Sequence, residues 1–303
     1  MSMIKNTVEE KGINRKKNKL NKINATDVII MAFLCILGVL VVYPFYNSFI
    51  VSIATQTESM LKPFMLWPSK VTFSAYQFVF KSPSIVSGFK VTAIILFVGT
   101  FYNMFLTTSM AYAMTKPFPG SKIVRLLVLF TMFFSGGLIP TYLLIRNLGL
   151  LDSVFSMILP SGITVTYLIV MMRFFKAIPF ELEEAATIDG CSDIGIFWRI
   201  ILPLSKPVIA TYTLYYAVER WNEWYGGMLY IKSASKLPLQ MILRNIIQNA
   251  TAKMDEMSDM FMTAFPDGIK MATVVVIMVP IMCAYPFLQR YFISGLTDGA
   301  VKG

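Results

Sequence analysis

An all-α integral membrane protein crossing the bilayer six times, with both termini cytoplasmic, is the fold class this sequence predicts. Three observations lead there. Of the 303 residues, 56% are hydrophobic and 15% charged, with a mean hydropathy of +0.63, whereas ordinary soluble domains carry about 25% charged residues. Six segments are each apolar over about 20 residues, the length a helix rising about 1.5 Å per residue needs to cross about 30 Å of hydrocarbon. Lys and Arg crowd the ends that this count puts on one side.

The spans run 28–53, 91–113, 126–145, 154–172, 207–229 and 271–289. A Lys- and Asn-rich tail, 1–27, precedes the first and reads as a disordered topology determinant. The apolar run that follows exceeds the about 7–15 residues of a cleaved signal, so it is read as retained. Lys116, Lys122 and Arg125 fill the second-to-third connection, while Arg146 stands alone in the third-to-fourth. Segments 54–90 and 230–270 then face outward and 173–206 inward; residues 91–293 form a five-helix core, and 294–303 a cytoplasmic tail. Gly136-Gly137 with Pro140 interrupts span three, and Pro280 and Pro286 interrupt span six, for packing or for gating.

Several chemistries are excluded. Histidine is absent, and Cys35, Cys191 and Cys283 lie far apart, which removes His- or Cys-based metal centres, Ser-His-Asp catalysis and a disulfide framework. The net charge of +10 is not gathered on one soluble face, so nucleic acid is not the partner. No G-x-x-x-x-G-K-[ST] loop is present to hold a nucleotide.

The inward segment 173–206 carries helix signals in order. Pro179 stands at a helix start, with Glu181, Glu183 and Glu184 in the first turns where the dipole favours negative charge. Gly190 can take the positive φ that ends such a helix, and Ser192 or Asp193 can cap a second one. In that second helix Ile194, Phe197, Trp198 and Ile201 form one apolar stripe that must be buried, and Leu202-Pro203 stops it. An amphipathic hairpin lying on lipid headgroups is the alternative that this pattern alone leaves open.

The run Glu184-Ala185-Ala186, three residues, Gly190, nine residues, Ile200, one residue, Leu202-Pro203 resembles the EAA loop of ATP-binding-cassette import permeases. The resemblance, which extends from Asp27 over nearly the whole chain, implies the type I importer permease (MetI-like) fold. It implies that Glu184, Ala185, Ala186, Asp189, Gly190, Ile200, Leu202 and Pro203 form the coupling element that docks on a cytoplasmic ATPase dimer. The C-terminus is similar to that of the second permease subunit of the maltose importer, which implies ATPase contact for Gly299, Ala300, Val301, Lys302 and Gly303; a short frayed tail is the alternative. Trp221-Asn222-Glu223-Trp224, Leu237-Pro238-Leu239-Gln240 and Leu243-Arg244 resemble the LplC/YtcP group of carbohydrate permeases. The implied partners are a second permease subunit, the ATPase, an extracytoplasmic solute-binding protein reached by the 230–270 segment, a carbohydrate solute and membrane lipid. ATP is implied to bind the partner, leaving this subunit without a cofactor and without catalysis of its own.

Only span five holds ionisable groups well inside: Glu219, Arg220 and Glu223. Glu219 and Glu223 stand at i and i+4 on one helix face, and Arg220 can pair with Glu223 at i+3. With Tyr216, Trp221, Asn222 and Trp224 they are the translocation-path candidates, because a sugar packs its CH face on rings and hydrogen-bonds its hydroxyls to fixed polar groups. They either contact the sugar or line the path without a defined site. An ion-gradient-driven transporter is the competing function, although it predicts inverted repeats and charges on several helices; a membrane enzyme would need a nucleophile or carboxylate pair beyond Glu219 and Glu223.

Overall fold

A computed structural model of the chain describes residues 25–62, 64–249 and 266–300, and every regular element among them is helical. The expected basic tail up to residue 24, the far part of the outward segment at 250–265, and Val301, Lys302 and Gly303 lie outside the described residues.

Helix α1 covers Ala25–Ile53 and exposes its long apolar stretch from Val28 to Val42, as a lipid-facing span would. The segment expected as an outward loop is partly helical, with α2 at Gln56–Leu61 and α3 at Ser74–Lys81. Span two begins earlier than expected. Helix α4, Pro83–Ile94, starts on Pro83, whose fixed φ and missing N–H suit a first position; Ser84, Ser87 and Lys90 had diluted its apolar signal. A π turn, Ile95–Gly99, joins it to α5, Thr100–Thr115.

Span three is broken where its glycines lie: α6, Ser121–Phe133, meets α7, Leu138–Asn147, at 115°, with Gly137 at φ +84°. Span four is also broken, which the sequence reading did not anticipate. A single turn, α8 at Phe155–Ile158, is followed by non-helical residues 159–164 and then by α9, Val165–Lys176. Next come α10, Phe180–Ile188; α11, Asp193–Ile196; a second π turn, Phe197–Ile201; and α12, Leu202–Leu204. Helix α13, Lys206–Trp221, leaves at 84° to the helix before it. Helices α14, Tyr225–Tyr230, and α15, Leu239–Asn249, precede α16, Pro266–Ala300. Pro280 and Pro286 lie inside α16 and do not interrupt it. A membrane helix tolerates proline because neighbouring groups re-satisfy the freed carbonyls. The helix also carries the backbone of 294–300, expected as a tail, on to Ala300.

By length and apolarity Thr26–Ile53 and Pro83–Thr115 each suffice to cross a bilayer, and each of the two bent pairs qualifies when taken as one span. The main core lies where α5, α9, α13 and the π turn at Phe197–Ile201 meet, around Met104, Ala111, Leu168, Met171, Phe197, Ile201 and Tyr216. Lipid tails are as apolar as leucine, so close packing and buried polar bonds hold such helices together. Gly162 illustrates this: a Cβ there would stand 2.9 Å from Leu106 and 3.0 Å from the Tyr102 ring.

At the other end, α3, α4, α15 and α16 share a second cluster through Val79, Ile85, Leu239, Ile242 and Ile269. Beside it the third-to-fourth connection is clasped to the segment after α14. Asp152, itself at φ +58°, accepts from Ser233 N at 2.8 Å, Ser233 Oγ at 2.6 Å, Lys232 N at 3.0 Å and Lys236 Nζ at 3.0 Å. The Ser233 hydroxyl and amide, then the Lys236 ammonium, hold its carboxyl well below the usual carboxylate range. A depressed folded pKa contributes stability that is complete above the unfolded value, about 3.9, and is lost as pH falls through the folded one. Hydrogen exchange of the Lys232 and Ser233 amides is therefore expected to be faster in Asp152→Asn than in wild type at pH 7, and the two are expected to converge only below about pH 4. Equal exchange at pH 7 would rule out the clasp.

Candidate functional site

The hairpin expected to face inward is built as its sequence predicts up to its second helix. Gly190, at φ +80°, donates to Thr187 O at 3.0 Å, and Cys191 N donates to Ala186 O at 2.9 Å. This glycine-terminated pair of bonds satisfies the carbonyls that end α10. Ser192 Oγ then accepts from Gly195 N at 3.3 Å and caps α11. Glu184, Ala185, Asp189 and Gly190 are exposed together on this tip, while Ala186 packs against the core.

One expectation for the second helix changes. Ile196, Phe197 and Ile201 are buried, but Ile194 and Trp198 are exposed by 73% and 54%. The π turn is the reason: it adds a residue to one turn, so the buried face departs from the 3.6-residue stripe. The helix ends at Leu204, one residue past Pro203, and the chain then turns 84° into α13, so Leu202-Pro203 marks its end to within a residue. Ile200 and Leu202 pack on the core and Pro203 is exposed.

The hairpin is fastened to the C-terminal end of α5. Tyr112 stacks on Phe197 with ring centroids 5.2 Å apart, Lys116 Nζ sits 4.7 Å from the Tyr112 ring centroid, and Lys116 forms an ion pair with Glu183 of α10. Burial works against the Lys116 charge, but the Glu183 carboxylate outweighs it and holds the ammonium above the ordinary lysine range. A half-exposed pair contributes about 0.2–1 kcal/mol, so its value lies in orientation. Glu183→Lys is expected to raise the ATP hydrolysed per solute transported by up to about fivefold, and Lys116→Glu combined with Glu183→Lys to bring it back. Failure of the double exchange to improve on the single one would dismiss the pair.

Span five departs from the expected geometry. Helix α13 ends at Trp221, because Asn222 Nδ2 bonds Val218 O at 2.9 Å and Gly226-Gly227 follows; Glu219 and Glu223 therefore do not share a helix face. Glu223 instead accepts from Gly226 N at 2.8 Å and starts α14. Glu219 is exposed and accepts from Tyr167 Oη at 2.6 Å. Tyr167 is ringed by Tyr212, Tyr215 and Tyr216 at centroid distances of 4.8, 5.7 and 5.1 Å. Tyr216 is fully buried; its hydroxyl bonds Thr107 Oγ1 at 2.8 Å and accepts from Thr164 N at 3.0 Å, which supports the start of α9. Trp221 and Trp224 are half-buried, Asn222 is exposed, and Trp221 Nε1 is buried without a hydrogen-bond partner among the described residues.

Arg220 does not pair with Glu223. It is 4% exposed and crosses Gly99, where an added Cβ would stand 3.0 Å from its Cδ and Nε. Its guanidinium donates to Met157 O at 2.6 Å, Ile158 O at 3.1 Å and Ser161 O at 3.0 Å, and reaches Asn103 Oδ1 from both Nε and Nη2 at 3.1 and 2.8 Å. Asn103 Nδ2 in turn donates to Ser161 O at 2.6 Å and Gly162 O at 3.1 Å. The carbonyls freed by the break in span four are thus satisfied by two side chains from other helices. Sequence reasoning missed Asn103, Tyr167 and Lys116. For Asn103 there was a signal, since it is an uncharged amide within an apolar span, with Thr107 and Thr108 one turn on.

Buried polar nodes that stitch broken helices, with a capped hairpin exposed at one end, define a membrane-embedded transport permease. The chain belongs to the family described as binding-protein-dependent transport system inner membrane component, whose model matches residues 23–298. It is 44% identical over 282 residues to Protein LplC of Bacillus subtilis strain 168, covering 91% of this chain and 95% of that one. It is 41% identical over 280 residues to the polygalacturonan/rhamnogalacturonan transport system permease protein YtcP of the same organism, covering 91% and 98%. Among solved structures it resembles a chain of a bacterial ABC transporter involved in the import of the acidic polysaccharide alginate, with a TM-score of 0.83 and 29% identity over 89% of this chain and 98% of that one. The MetI-like permease fold expected from the hairpin motif is the fold of this chain.

Proposed function

We propose that this chain is one half of the transmembrane channel of an ATP-driven importer, translocating an oligosaccharide handed over by an extracytoplasmic binding protein. The carbohydrate class rests on what the relatives are named for, and no comparison favours an ion-gradient-driven transporter. The observation that carries the reading is the exposed tip bearing Glu184, Ala185, Asp189 and Gly190, braced against α5 by Lys116 and Glu183. In this reading the tip docks on a cytoplasmic ATPase dimer that binds and hydrolyses the ATP, with no cofactor bound here. Gly299 to Gly303 add a second contact. A different permease subunit supplies the other half of the channel.

Six spans with both termini cytoplasmic remain the topology that fits best. Its support is that connections assigned to one side meet one another: Lys116 of the second-to-third connection with Glu183 of the fourth-to-fifth, and Asp152 of the third-to-fourth with Lys236 of the fifth-to-sixth. Tyr216, Glu219, Trp221, Asn222, Glu223 and Trp224 line the path, and Arg220 acts behind it by holding span four in its broken form. Co-expression tests the reading. The chain should co-purify with a second permease and an ATPase, and uptake into proteoliposomes should require all three together with ATP and binding protein. Solute uptake by the isolated chain would overturn it.

A further inference from the structure

Helix α15 is amphipathic. Leu239, Ile242, Leu243 and Ile246 face the second core cluster, while Gln240 and Arg244 stand one turn apart on another face. Both reach the bend between α13 and α14. Gln240 Nε2 donates to Asn222 Oδ1 at 3.2 Å, and the Arg244 guanidinium carbon lies 4.0 Å from the centroid of the Trp224 ring. Stacking engages the face of a guanidinium and leaves its N–H edge available for bidentate bonds in plane. Among the described residues that edge meets no acceptor, and no carboxylate stands within ion-pair distance of it. Among the described residues the nearest acid in sequence, Glu223, is turned onto Gly226 N. A half-buried cation oriented by an indole, with no counter-ion among the described residues, is a pre-organised receptor for an anion. Trp224 and the amides of Asn222 and Gln240 add what a sugar ring and its hydroxyls need.

We infer that Arg244, stacked on Trp224 and flanked by Asn222 and Gln240, is a binding site for the carboxylate of an acidic sugar unit at the outer end of the path. The site deepens the permease reading and rests on it, because that reading puts the α13–α14 bend on the path. Neither Arg244 nor Gln240 stood among the path candidates of the sequence.

The test uses the co-purified permease pair and ATPase, without binding protein. Tri-galacturonic acid and its methyl ester are titrated in turn, with indole fluorescence as the readout and Trp224→Phe identifying the responding ring. The acid is expected to change the Trp224 signal and the ester not to. Arg244→Gln should weaken the acid about tenfold to a hundredfold, the scale of lost charge-assisted hydrogen bonds. Arg244→Lys, which keeps the charge and the ring contact but not the fork, should fall between. Equal responses to acid and ester, no response to either, or unchanged affinity in Arg244→Gln would overturn the site. ATP-dependent uptake of carbohydrate by the same wild-type complex with its binding protein separates the two failures: with uptake intact only the acidic-sugar site falls, and with no carbohydrate carried the permease reading falls with it.

Discussion

Arg220→Met is expected to destabilise the protein by about 3–5 kcal/mol, the cost of removing one member of a buried charged network, and to lower its thermal midpoint in detergent accordingly. Methionine keeps the apolar stem but strips the donors from Met157 O, Ile158 O, Ser161 O and Asn103 Oδ1. No water is at hand in hydrocarbon to replace them. Arg220→Lys should recover less than half of the loss, since one ammonium cannot span acceptors on two separate elements as a planar fork does. Asn103→Leu should cost less than Arg220→Met, and the pair together less than their sum, because both substitutions break one network. A midpoint for Arg220→Met within error of wild type would remove Arg220 from its structural role and return it to the path.

The second large effect is expected at the hairpin tip. Gly190 holds φ +80° with nothing within 4 Å of where a Cβ would be. Gly190→Ala therefore meets only the left-handed backbone, a cost of about 1–2 kcal/mol, and should leave some transport. Gly190→Arg adds bulk and charge to the surface proposed to face the ATPase, and Glu184→Lys reverses the charge beside it. Each is expected to lower the amount of co-purifying ATPase and to reduce uptake by about tenfold or more, the effect of roughly 1.4 kcal/mol of lost docking energy. Full ATPase recovery with normal uptake in Gly190→Arg would show that the tip is not the docking element.

The parts of this molecule written locally were the readable ones. Pro179, Gly190 and Ser192 act on backbone groups within four residues, so the first hairpin helix, its left-handed end and the next cap follow from spacing alone. The double glycine at 136–137 announces its own bend. The break in span four is different. Residues 159–164 contain one proline and one glycine in an apolar run, and their carbonyls are satisfied from Arg220 and Asn103, about 60 positions away in each direction of the sequence. A helical wheel offered Arg220 a partner at i+3, and long-range acceptors took it instead. The π turn at 95–99 was equally hidden, because an apolar helix gives no periodic pattern whose slip could be noticed. Trp198 and Ile194 were expected to be buried because they fit a 3.6-residue stripe, which the second π turn breaks.

The π turn at Ile95–Gly99 carries a consequence for evolution. A π turn is an α-helix holding one residue more than its register needs, and each residue of a regular helix turns the next by about 100°. Loss of a single codon between 95 and 99 would relax the helix to ordinary winding yet swing Asn103, four positions downstream, off the guanidinium it serves. Residues 95–98 can therefore exchange one apolar side chain for another, whereas Gly99 must stay small beneath Arg220 and the number of residues in the turn is locked.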